Sequence, residues 1–300
     1  MAAGCSMPER RFHRPAHEAV AGLLRRFDRA FLDRCACLFA GGTRIVLELG
    51  EYRESRDVDF LCASREGYRL LRESVAEDSL GPVVARPVAL AREVRADQFG
   101  IRTWLPAGEL RIKFEILREA RIDLAGGKVA GIPVTCLDPA HAFAEKFLAN
   151  ADRGLDASTL SRDAVDLAFM VEGWPAAAAA TGLAKARGAY GEAVERSLSA
   201  AVTKLREDKA WRNPVVEGLG IGDTKTLAAG LERLGQGKWR GKGAGARRRP
   251  GCSSPACSLP RWGSFSSRAP RVSTRRSSPS TGPSSRSSRS PASWPCAAAP

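Results

Sequence analysis

The residues able to do chemistry lie in two short runs. Phe39-Ala40-Gly41-Gly42-Thr43 is followed, after thirteen residues, by Asp57-Val58-Asp59-Phe60. Two glycines after an apolar stretch let the backbone approach a ligand closely. A helix starting at that pair points free N–H groups and the positive end of its dipole at an anion, and Thr43 adds a hydroxyl donor. Residues two apart on a strand face the same side, so Asp57 and Asp59 project together. Two such carboxylates repel unless a cation lies between them, and hard oxygen donors suit Mg²⁺. A phosphate cradle beside a carboxylate pair is the equipment for in-line phosphoryl or nucleotidyl transfer. Alone, Gly41-Gly42 reads as a tight turn and Asp57-x-Asp59 as a solvated strand face. Their combination in a strand, turn, helix, acidic-strand order carries the functional reading.

These residues need a scaffold, and the pattern predicts an α/β (α+β) one with a mixed sheet. An amphipathic helix is expected over 15–34, with Pro15 in its first turn and Val20, Leu23, Leu24, Phe27 and Phe31 on one stripe. Cys37 to Ala40 reads as a short apolar strand, and 43–49 as a helix starting at the glycine pair. Tyr52 to Arg56 reads as a polar loop, 57–62 as a strand and 67–75 as a helix. Segments 93–105 and 109–118 are expected to pair around Pro106-Ala107-Gly108, with edge strands at 121–124 and 132–136. From Asp138, a good cap before Pro139, the pattern turns helical, with helices expected at 138–152, 158–171, 182–206 and 223–234. The chain thus divides into an α/β core over 10–136 and a helical bundle over 137–236.

The 300 residues carry a formal charge of +14, but eleven of the 47 basic residues and none of the 33 acidic ones lie in 241–300. That stretch also holds nine of the 18 prolines and 16 serines, a composition unable to bury enough apolar surface to fold. It is expected to be a disordered basic tail. Its abrupt onset resembles GC-rich coding DNA read out of frame; a basic arm that binds RNA or anionic surfaces is the functional alternative. The remainder is nearly neutral and does not advertise nucleic acid by charge. No run approaches the ~18 apolar residues of a membrane span, and no apolar signal segment opens the chain. Eight scattered cysteines argue for a reducing cytoplasm. Cys35-x-Cys37 lacks a second ligand pair and reads as core packing; Cys252 and Cys257 follow no zinc spacing. His13, His17 and His141 form no triad and are expected at the surface or in caps.

Gly41-Gly42-Thr43 with Asp57-Val58-Asp59-Phe60 resembles the signature of the DNA polymerase β-like nucleotidyltransferase superfamily. The run 39–47, the Arg-Glu-Ser-Arg-Asp-Val-Asp-Phe run 53–60, Glu145-Lys146 and Arg162-Asp163-Ala164-Val165-Asp166-Leu167 are together similar to the AbiEii/AbiGii type of nucleotidyltransferase toxin. The resemblance covers roughly residues 10–235. It implies an NTP-dependent enzyme that uses Mg²⁺ and releases pyrophosphate, with a tRNA 3′ end or a protein as acceptor and a cognate antitoxin as partner. It further implies Asp57, Asp59 and Glu115 as metal ligands, Gly41, Gly42 and Thr43 at the nucleotide, Lys146 at the triphosphate, and Asp163 in support. Lys146 is expected to be a flexible cation extending from an amphipathic helix toward the cleft. Two other readings remain: adenylylation of a small molecule such as an aminoglycoside, and non-catalytic RNA or partner binding on the same fold.

Overall fold

A computed structural model describes residues 10–240. Two helices open it, α1 (Pro15–Leu24) and α2 (Arg29–Arg34), where the stripe predicted one. The chain turns between them because the Asp28 carboxylate accepts from the Phe31 N–H at 2.8 Å and caps a new helix. Then come β1 (Cys37–Ala40), α3 (Gly41–Glu48), β2 (Val58–Cys62) and α4 (Arg65–Ser74), close to their predicted places.

The predicted strand 93–105 is a hairpin, β3 (Arg92–Ala96) and β4 (Gly100–Ala107). Asp97 makes the turn: its Oδ1 accepts from the N–H groups of Phe99 and Gly100 at 2.7 and 2.9 Å. β5 (Leu110–Arg118) follows through the predicted turn at Gly108. Of the expected edge strands, 132–136 yields only the short β7 (Cys136–Leu137), which pairs with β6 (Gly126–Gly127) where a turn was expected; 121–124 stays irregular, since Arg121 turns back onto Glu119.

The strands form one mixed sheet in the order β3-β4-β5-β2-β1-β7-β6. β2 runs antiparallel to β1 and parallel to β5, which sets Asp59 directly opposite Glu115. On β5, Ile112, Phe114 and Ile116 are fully buried on one face, so Arg111, Lys113 and Glu115 take the other.

The second half is helical: α5 (Pro139–Arg153), α6 (Arg162–Gly173), α7 (Ala176–Tyr190), α8 (Ala193–Glu207), α9 (Lys209–Gly218) and α10 (Thr224–Gly235). Asp138, Asp208 and Asp223 cap α5, α9 and α10 through their carboxylates. The helix predicted over 182–206 breaks at Gly191, which adopts φ +61°. α9 escaped the pattern because Pro214 and its polar neighbours blur the apolar stripe. Phe143, Phe147, Val165 and Leu167 from the helices share one buried cluster with Leu38, Ala40, Ile45 and Val46 from β1 and α3. The helical half is therefore packed onto the strand and turn that carry the cradle. The tail predicted over 241–300 lies outside the described residues.

The close approach of α10 to α6 generates a test. A Cβ on Gly230 would lie 2.1 Å from the Ala168 carbonyl oxygen, whereas one on Gly188 meets nothing within 4 Å. Gly188→Ala is expected to stabilise the protein by about 0.5–1 kcal/mol, from helix propensity. Gly230→Ala, with the same propensity gain, is expected to destabilise it by about 1–3 kcal/mol through overpacking. Urea unfolding of both variants decides; equal stabilisation would contradict the packing.

Candidate active site

The turn from β1 into α3 is tighter than its sequence requires of any residue but glycine. Gly41 has φ +72°, and a Cβ there would lie 2.3 Å from Asp59 Oδ2. A Cβ on Gly42 would lie 2.3 Å from an Arg53 Nη2 atom. Both glycines line a cleft of about 230 Å³ with Arg53, Ser55, Asp57, Asp59, Lys113, Glu115, Lys146, Arg153, Arg162 and Asp163. Thr43 does not line it: the side chain is fully buried, and its hydroxyl bonds the Ser55 hydroxyl at 2.7 Å. Ser55, not Thr43, presents a hydroxyl to the cleft. Sequence spacing gave no sign of this exchange, because it depends on how the loop 51–57 folds back over α3.

One wall is acidic. Asp57 stands one residue before β2, Asp59 on it, and Glu115 beside Asp59 on β5. Burial, then the charges of Asp57 and Glu115, push Asp59 up to about 6. Glu115 is already held by Lys113 at 2.7 Å and Arg102 at 3.2 Å. Among the described residues no three His, Cys, Asp or Glu side chains form a ready-made metal group. Mg²⁺ commonly takes one or two carboxylates and completes its shell with phosphates and water. The mutual repulsion at Asp57 and Asp59, and their all-oxygen chemistry, fit such an ion.

The facing wall is a buried ion network. Asp166 is fully buried and accepts from Arg53 Nε at 2.7 Å, Arg53 Nη2 at 2.9 Å and Tyr52 Oη at 2.7 Å. Lys146 Nζ reaches Asp166 at 2.7 Å and Asp163 at 2.8 Å. Arg153 Nε closes the chain on Asp163 at 2.7 Å. Burial alone would raise both aspartates; Lys146 with Arg153 holds Asp163, and Arg53 with Lys146 holds Asp166, below the usual carboxylate range. Lys146, 7% exposed, is thus fixed between two carboxylates rather than swinging freely as the sequence suggested. Within this network three cations face two anions, a net positive charge, while Glu145, which also lines the cleft, pairs with Arg121 at 3.2 Å. Arg53, read as part of a polar loop and of the run 53–60 but given no role there, is a site residue that the sequence reading missed. Its signal was its place four residues before Asp57.

A second buried group holds the same loop. His17, expected at the surface or in a cap, is fully buried. Its Nε2 accepts from the Ser55 N–H at 3.1 Å, so the proton sits on Nδ1, which lies 2.8 Å from Glu51 Oε1. Burial lowers its pKa, which keeps the ring neutral and the acceptor available. His141 bonds the capping Asp138, as expected of a cap residue. Cys35, Cys37, Cys62 and Cys136 are buried free thiols. A larger cavity of about 870 Å³ lies among α8, α9 and α10, away from the acidic wall; its Arg206 and Glu232 pair with each other.

Residues 22–226 match the family model described as nucleotidyl transferase AbiEii toxin, type IV TA system. The chain belongs to the AbiEii nucleotidyltransferase toxin family. The matched span holds the cradle, the acidic wall and the ion network, and the chain is a nucleotidyltransferase. No curated protein matches it. Among solved structures, this AbiEii-family chain is similar to JHP933 from Helicobacter pylori, at 12% identity and TM-score 0.42, over 76% of this chain and 94% of that one. It is also similar to a putative nucleotidyltransferase from H. pylori, at 15% identity and TM-score 0.37, over 74% and 94%. An antigenic nucleotidyltransferase-like protein from Paracoccidioides brasiliensis matches at 14% identity and TM-score 0.34, over 67% and 92%.

Asp59 makes the acidic wall testable in the AbiEii-family apoprotein. The folded chain keeps its proton up to about pH 6, whereas the unfolded chain releases it near 3.8. Stability therefore falls as pH rises through that window. Asp59→Asn is expected to be more stable than wild type by about 1–3 kcal/mol at about pH 8, the gain vanishing at about pH 4. Thermal melts across pH check it; a pH-independent difference would contradict the raised Asp59.

Proposed function

We propose that the chain transfers a nucleoside monophosphate from an NTP to an acceptor hydroxyl, as the toxin of a type IV toxin–antitoxin system. The observation that carries this reading is the pair of opposed walls across one cleft: three carboxylates against a net-positive buried network, joined by a glycine cradle. Asp57, Asp59 and Glu115 would hold a divalent cation, Mg²⁺, which supplies charge stabilisation at the reacting phosphate. The N–H groups at the start of α3 bind phosphate oxygens, and Gly41 and Gly42 allow the approach. Lys146, held in place by Asp163 and Asp166, faces the triphosphate without having to be ordered on binding. The acceptor oxygen attacks the α-phosphorus, its bond to the β-phosphate oxygen breaks, and pyrophosphate leaves. The proton of the acceptor hydroxyl passes to the carboxylate wall.

The acceptor in this proposal is a tRNA 3′ end or a protein side chain, and a cognate antitoxin is the partner. The buried free thiols support a reducing cytoplasmic setting. No helix among the described residues is long and apolar enough to cross a membrane.

Incubation with each labelled NTP, Mg²⁺ and total bacterial RNA or protein, resolved on a gel, tests the proposal. Asp57→Ala and Asp59→Ala are each expected to lower transfer by about 10²–10⁴-fold, since they remove metal-linked charge stabilisation. Melting temperature should not fall, because their repulsion is relieved. Chelation should stop transfer and added Mg²⁺ restore it. Near wild-type turnover in either variant would contradict the assignment, and label on an aminoglycoside alone would replace the acceptor class.

A further inference from the structure

The acidic wall does not end at the cleft. Across the sheet, Asp59 stands opposite Glu115, Glu115 opposite Arg102, and Arg102 opposite Arg95. One pair along, Lys113 stands opposite Trp104, and Trp104 opposite Arg92. Directly opposed residues share a face, so β3, β4 and β5 continue the floor of the cleft outward as one open surface. The other face of the same strands is core: Val94, Ile101, Thr103, Leu105, Ile112 and Phe114 are buried there.

The chemistry of this open face is specific. The Arg92 guanidinium lies over the Trp104 ring, 5.7 Å from its centroid. Arg102 and Lys113 are engaged with Glu115, and Arg102 also with Asp97. Arg92, Arg95 and Arg111 are exposed and make no ion pair among the described residues. At the hairpin tip Phe99 is 65% exposed. Unpaired arginines beside a half-buried indole that one of them covers, with an exposed ring at the adjoining hairpin tip, suit a chain of phosphates and bases. Phosphates meet the guanidiniums, and unstacked bases stack on rings and on the arginine plane. A protein partner would call for a continuous apolar centre, which this face lacks.

We infer that the open face of β3–β5 is the docking track for the single-stranded end of an RNA acceptor, delivering its terminal hydroxyl to the Asp57/Asp59 cleft. The inference rests on the transfer reaction proposed above and selects RNA over protein as the acceptor. The track lies two strands from β2, at ~4.8 Å per strand, so an end bound there reaches the carboxylates by a short extension along the sheet. None of Arg92, Arg95, Arg111 or Trp104 belongs to the cleft itself, which makes the track separable from the chemistry.

The experiment uses the full chain and a 5′-labelled single-stranded RNA of about 12 nucleotides, a length within the usual site sizes for such grooves. Anisotropy is measured over a salt series. The triple variant Arg92→Ala/Arg95→Ala/Arg111→Ala is expected to lose at least about tenfold in affinity, and its log K against log salt slope should fall by about 2. Trp104→Ala should lose about 5- to 100-fold with little change in slope, and Trp104→Phe should recover most of it. NTP affinity should stay within about twofold in all three, because they lie outside the cleft. A 4-thiouridine near the RNA 3′ end should crosslink to peptides of β3–β5. Unchanged affinity and slope in the triple variant, crosslinks confined to other parts of the chain, or transfer onto protein with no RNA bound would each overturn the track. Asp57→Ala separates this inference from the reaction: it should bind the RNA normally while transfer is lost. Neutral track variants beside an inactive Asp57→Ala would remove the track and leave the chemistry standing. An active Asp57→Ala would remove the chemistry and leave RNA binding to be judged by its own measurements.

Discussion

A carboxylate with no solvent exposure is the constraint on which the site depends. Asp166 lies inside the helical half, where an unpaired charge would cost many kcal/mol and would instead be protonated. It stays ionised because Tyr52, Arg53 and Lys146 donate to it from three directions. Two of those donors come from the loop before β2, and the third from α5. The need to satisfy one buried charge therefore draws the Asp57 loop, the glycine turn and two helices to one point. A hydrophobic group of similar volume could give equal stability there, but it would not orient Arg53 against Gly42 or hold Lys146 at the cleft.

The two walls treat charge in opposite ways. In the helical network Asp163 and Asp166 are matched by Arg53, Lys146 and Arg153, and the surplus there is a single positive one. On the sheet side Asp57 and Asp59 are left to repel, and burial adds to the strain by raising Asp59. That arrangement lowers the stability of the empty protein at neutral pH and is relieved by whatever positive charge enters between them. The neutral His17 ring and the Thr43–Ser55 hydroxyl pair hold the loop between the walls without adding charge to the cleft. The sheet then carries the alternation of buried and less buried residues out along β4 to Arg102 and Trp104.

The parts of this legible in the sequence were those encoded locally. Gly41-Gly42 and Asp57-x-Asp59 are neighbours in both sequence and space, and the alternation Ile112, Phe114, Ile116 assigns Glu115 its face before any coordinates are known. Asp138 announced its helix. What stayed hidden depended on contacts between distant segments. Arg53 finds Asp166 across 113 residues, and His17 finds Glu51 across 34. Neither pairing leaves a periodicity. Lys146 was expected to be flexible because nothing near it in sequence fixes it, yet α6 holds it with two carboxylates. The hairpin at Asp97 was hidden for a different reason: one side-chain turn of three residues interrupts an alternation that otherwise runs through.

The most direct measurement is a double-mutant cycle on Arg53 and Asp166, read by unfolding free energy and by transfer rate. The account predicts that Arg53→Ala and Asp166→Ala each destabilise the protein by about 3–5 kcal/mol, since each leaves a buried charge without its partner. It predicts a coupling of at least about 2 kcal/mol between them, with transfer lost in the double variant even where stability returns. Single variants that are nearly neutral, a coupling below about 0.5 kcal/mol, or a double variant that transfers normally would contradict the claim that this buried pair positions the site.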